Sequence, residues 1–93
     1  METTETRDML REAPLRLVAT RIKRARKVHA DLTLDELAAT VGTSRQHLIG
    51  LEQAKHRPRL PMLERIAAAT GKPIDYFLLE EAGEANPFPA EAA

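Results

Sequence analysis

Ninety-three residues allow one domain with a modest core, and scarce aromatics (3%) suit packed helices better than a sheet. The absence of cysteine excludes a disulfide framework and thiolate chemistry and fits a reducing cytoplasm; no apolar run approaches the roughly 20 residues of a membrane span, and the acidic start METTETRDML lacks a signal-peptide core. Lys and Arg balance Asp and Glu at 14 each, yet residues 14–65 hold eleven bases against five acids while both ends are acidic, which favours a polyanionic partner for the middle of the chain.

Residues 1–13 place Met9, Leu10 and Ala13 at one-turn spacing, so this stretch is either a mobile arm or a short helix. Pro14 opens the first core helix rather than sitting inside one. Leu15, Val18, Ile22, Ala25 and Val28 form its inward stripe, while Arg16, Arg21, Lys23, Arg24 and Lys27 project elsewhere. His29 to Leu32 reads as a loop. Thr33 and Glu36 then make a capping box, and Leu34, Leu37, Ala38 and Val41 recur at helical spacing. Gly42 ends that helix, and Thr43 or Ser44 caps the next, whose inward pair is Leu48 and Leu51. Two short helices across so tight a turn form a helix-turn-helix pattern.

A basic loop follows, Ala54 to Arg59. Leu60 to Thr70 is a helix with Pro61 in its first turn, Leu60, Leu63, Ile66 and Ala67 inward, and Gly71 as its stop. Pro73 opens a last short helix from Ile74 to about Glu80, where Ile74, Phe77 and Leu78 close the base of the bundle. Residues 81–93 are acidic and rich in alanine and proline, with Phe88 as their one apolar anchor, and read as a flexible tail. The expected organisation is an arm or short helix over 1–13, the helical domain over 14–80 and the tail.

From about Leu15 to Leu79 the chain resembles the phage-repressor (Cro- and Xre-like) helix-turn-helix family. The likeness rests on the small Ala38, the turn Gly42, the inward Leu48 and Leu51, and the ending GLEQAKHRP, with five helices in the family's order. It implies an all-α, compact five-helix bundle with a central helix-turn-helix, lambda-repressor-like. Three departures stand out: the loop at 29–32 is one residue longer than is common, Ala54 replaces a frequent glycine, and Leu34 replaces a phosphate-binding glutamine. The family also pairs an arginine and a glutamate at places matching Arg26 and Glu52, which implies a partly buried salt bridge here.

On a helical wheel centred on Leu48, Gln46, Ile49, Gly50 and Gln53 point away from the core, with Arg45 on the flank. In repressors of this type the N-terminal end of this helix enters the major groove. Arg45 then suits guanine, Gln46 suits adenine, and Ile49 suits a thymine methyl. An outward Gly50 costs about 1 kcal/mol of helix propensity against alanine, which close approach of a duplex explains. Lys55, Arg57 and Arg59, on a loop that tracks the backbone in the family, are the expected phosphate contacts, joined by Thr33, Ser44 and Gln53. His29, His47 and His56 show no metal-binding spacing, and no cofactor is implied.

These features imply a cytoplasmic, sequence-specific transcriptional regulator that binds double-stranded DNA as a homodimer, through the last helix or the N-terminal arm. A regulatory protein partner would engage the termini. Two competing readings share the fold: an antitoxin whose tail masks a toxin, and a protein-interaction adaptor that has lost DNA binding. An enzyme is disfavoured, because no paired carboxylates, nucleophile–histidine couple or glycine-rich phosphate loop stands out.

Overall fold

The computed structural model of the chain describes residues 4–80; the tail over 81–93 lies outside the described residues. Six α-helices form among them: α1 (Thr4–Glu12), α2 (Leu15–Arg24), α3 (Leu34–Val41), α4 (Arg45–Glu52), α5 (Leu60–Thr70) and α6 (Ile74–Leu78). Helix α2 packs on α4 and α6, while α3 packs on α4 and α5. One apolar core unites Val18, Ile22, Leu37, Val41, Leu48, Leu51, Leu63, Ile66 and Phe77.

Residues 4–12 form a helix whose buried Leu10, with Ala13 just beyond it, joins this same core. The helix ends because Pro14 has no N–H to donate to the Leu10 carbonyl. A side chain from far along the chain supplies that donor: Arg57 Nη1 lies 2.8 Å from Leu10 O and also reaches Ala13 O.

Helix α2 runs into a π-helical turn over Ala25–His29, with the Ala30 N–H bonded to Ala25 O at 2.9 Å. Such a turn holds more residues than an α turn, so it takes up length that the sequence assigns to the following loop. It also overturns one expectation: Val28, expected inward, is 63% exposed. A five-residue hydrogen-bond step rotates the later side chains away from the stripe set by Val18 and Ile22. Asp31, at φ 54°, completes the change of direction.

Helix α3 begins with a complete capping box: Thr33 Oγ1 accepts from the Glu36 N–H and Glu36 Oε1 accepts from the Thr33 N–H. It stops at Gly42, φ 77°, where the Thr43 N–H bonds Ala38 O and the Gly42 N–H bonds Ala39 O. That is the Schellman closure, which needs a left-handed residue and so favours glycine. Helix α4 ends on the same pair of bonds, Lys55 N–H to Gly50 O and Ala54 N–H to Leu51 O. Here alanine takes the left-handed place, at φ 60°. The family's frequent glycine is therefore replaced without a change in the bond pattern.

At the base of the bundle Tyr76 is 1% exposed beside Phe77. The Arg21 guanidinium lies 5.0 Å and the Lys72 ammonium 4.7 Å from the tyrosine ring centre. Arg21 also donates to the carbonyls of Tyr76 and Glu80, binding α2 to the end of α6.

Candidate nucleic-acid interface

The orientation of α4 is set from beneath. Leu48 and Leu51 are fully buried, which turns the opposite side of the helix outward. Ser44, not Thr43, caps the helix, its Oγ accepting from the His47 N–H at 3.0 Å. At the other end Glu52 forms a two-pronged ion pair with Arg26, Nε to Oε2 at 2.7 Å and Nη2 to Oε1 at 3.0 Å. The two side chains are 9% and 6% exposed. Arg26 Nη1 further donates to Leu32 O at 3.0 Å. One guanidinium thus joins the π turn, the strand of chain before α3 and the end of α4.

Above this base, Arg45, Gln46 and Gln53 are exposed and Ile49 is half-buried. Gln46, Ile49 and Gln53 share a groove of 360 Å³ with Ser44 and Lys55. A second groove of 220 Å³ on the other flank is lined by Ile49, Gln53, Leu34 and Lys23. Ile49 and Gln53 therefore form a ridge between two grooves, with a lysine beside each. Arg45 Nε stands 3.4 Å from Asp35 Oδ1, with both side chains mostly exposed. Such a pair is weakly held and screened by salt, so a phosphate or base edge can compete for the arginine. Lys55 and Arg59 are exposed on the following loop.

Three expected contacts take a different place. Gly50 is buried rather than open: a Cβ there would lie 2.6 Å from Cδ2 and Nε2 of His56, so the ring of the same chain covers the glycine. Arg57 uses Nη1 on the carbonyls of Leu10 and Ala13, because Pro14 leaves the end of α1 short of a donor. One nitrogen of its guanidinium is thus committed to anchoring α1. Thr33 has its N–H and hydroxyl engaged with Glu36, and the carboxylates of Asp35 and Glu36 lie in the same first turn. Like charge there repels phosphate, so the start of α3 is a poor anion site.

Two residues enter the site that the sequence reading left out. Lys23 stands three residues before Arg26, so one helical turn brings it to the same flank; that spacing was a readable signal. His56 reaches α4 only because the chain reverses at Ala54, and it stacks on His47 with ring centres 5.7 Å apart. No local pattern announces that contact. Among the described residues no helix is long and apolar enough to cross a membrane.

A curated relative from Methanothermobacter thermautotrophicus, named as an uncharacterized HTH-type transcriptional regulator, is 44% identical over 54 residues, 56% of this chain and 78% of that protein. The sequence profile of a helix-turn-helix family matches residues 22–77, more than half of the chain, and spans the π turn through α6. With the capped α3, the tight turn at Gly42 and the outward face of α4, this match assigns the chain to the Xre/Cro-like helix-turn-helix family.

Proposed function

We propose that this protein is a DNA-binding transcriptional regulator that reads a specific site with α4 and binds it as a two-fold dimer. The observation that carries the reading is the pairing of a fixed base with an open face. Glu52 is tied to Arg26 beneath α4, while Arg45 and Gln46 are exposed in the helix's first turn and the half-buried Ile49 follows one turn later. A recognition helix needs both: an orientation that does not shift, and side chains able to leave water for a base edge.

In this reading Arg45 and Gln46 take guanine and adenine edges, and Ile49 meets a thymine methyl. Lys55 and Arg59 hold phosphates on one side of the helix and Lys23 on the other, with Gln53 and Ser44 completing the backbone contacts. One copy offers few base contacts, so useful affinity needs two half-sites about one helical turn apart. Leu79, the residue just after α6, is an exposed large apolar side chain and supports pairing through that end of the bundle. The protein then works as a regulator without a cofactor, in the cytoplasm.

Selection of bound fragments from random DNA, followed by sequencing, tests the reading directly. A palindromic motif with half-sites one turn apart is the expected result. Equilibrium sedimentation on a half-site and on the full palindrome tests the dimer; a single monomer bound to each with equal affinity sinks it. Recovery of no motif at all would favour the adaptor with the same fold.

A further inference from the structure

The outward side of α4 has a gap at Gly50, and a side chain from outside the helix fills it. An ideal Cβ on Gly50 would lie 2.6 Å from Cδ2 and from Nε2 of His56. The imidazole therefore occupies the volume that a side chain at position 50 would take. Two features put it there. Ala54 at φ 60° turns the chain back toward α4, and the His47 ring, nearly parallel at 17°, stacks against His56.

A ring placed only for packing would be covered, yet His47 and His56 are both exposed. They line the same groove as Gln46, Ile49 and Gln53. No group of three metal-ligating side chains occurs among the described residues, so the pair lacks the ligand set that a closed zinc site uses. With its Cδ2–Nε2 edge turned to the glycine, the imidazole directs Nδ1 away from it, a donor when that nitrogen carries the proton. In the major groove, guanine N7 and O6 are the acceptors that such a donor fits.

We propose that His56 is a specificity-determining residue that reads a guanine in place of the side chain Gly50 lacks, with His47 positioning its ring by stacking. The inference rests on α4 being the recognition helix. The glycine is then part of the reading device, because only a residue without Cβ leaves room for the ring.

The test is selection from random DNA with the wild type, His56→Ala, Gly50→Ala and the double variant. Thermal melts would show that each is folded, which the exposed His56 makes easy to satisfy. His56→Ala should lose preference at one base pair per half-site by about tenfold, with the other positions kept. Gly50→Ala should lose the same base pair, since its methyl group displaces the ring, and the double variant should be no worse than either single one. The salt dependence of binding should stay as in the wild type. An unchanged motif for His56→Ala overturns the proposal. Equal weakening on all sequences, with a shallower salt slope, also overturns it by making His56 a phosphate contact. A wild type that selects no motif would instead remove the recognition-helix reading, and this proposal with it.

Discussion

Helix α4 carries an arginine–carboxylate pair at each end, and the two are built differently. At its C-terminal end Glu52 meets Arg26 through two bonds of 2.7 and 3.0 Å, almost out of contact with water. At its N-terminal end Arg45 meets Asp35 through a single 3.4 Å approach, with 60% and 78% of the side chains exposed. In the first pair each charge would be stranded without the other, so the geometry is enforced. In the second, water replaces a lost partner at little cost. The same helix is therefore clamped where it meets the core and loose where it would meet a ligand. Chemistry alone does not separate the two pairs; burial does.

Removing the clamp should have the largest effect. Glu52→Ala should lower stability by about 3–5 kcal/mol, a large part of what a small domain has, read as a fall in the urea midpoint. Replacing both partners by apolar residues, Arg26→Met with Glu52→Leu, should recover much of that loss, because no charge is then left stranded. A midpoint unchanged in Glu52→Ala would mean that the clamp carries no structural weight.

Next in size is the open face. Gln46→Ala should cost about 1–3 kcal/mol on the preferred site and flatten preference at one base pair. Its melting temperature and the salt slope of binding should hold, since no phosphate contact is lost. Titrations at several salt concentrations separate the two outcomes; a changed slope would place Gln46 on the backbone instead of a base.

A smaller effect is expected just beyond the clamp. Ala54 holds a left-handed conformation, at φ 60°, in the same closure that Gly42 makes at the end of α3. Ala54→Gly should relieve that strain and raise stability by up to about 1 kcal/mol, despite the freer unfolded chain. Destabilisation in a urea melt would show that the alanine methyl is needed for packing. Smallest of all should be Asp35→Asn. It should shift stability by under about 1 kcal/mol, while DNA binding tightens because a carboxylate that competes for Arg45 and repels phosphate is gone. Weaker binding in a filter or fluorescence titration would mean that Asp35 positions Arg45 instead of occupying it.

The helices and their caps are legible in the sequence. The capping box at Thr33 and Glu36, the stops at Gly42 and Gly71, and the inward Leu48 and Leu51 all depend on neighbours within about one turn of helix. Their meaning survives in any fold that keeps those helices. Helical spacing likewise identified the outward face of α4, because the inward side of an amphipathic helix fixes its opposite. The all-α bundle follows from the sum of such local signals.

What escaped the sequence lies in one contact between distant segments, one chain reversal and one change of helix geometry. Arg57 looked like a free loop cation, but Leu10, 47 residues away, had a carbonyl that Pro14 left without a donor. Val28 matched the apolar stripe until the π turn rotated it outward. Gly50 looked open until the reversal at Ala54 laid His56 across it. For Arg57 and Gly50 a group brought in by packing changed the residue's role, and for Val28 a five-residue turn of its own backbone did. A chain of 93 residues states its helices, caps and outward faces through short-range bonding alone, but which cation a carbonyl receives, or which ring fills a gap, is decided only when those helices are stacked, because that depends on distances the linear order does not contain.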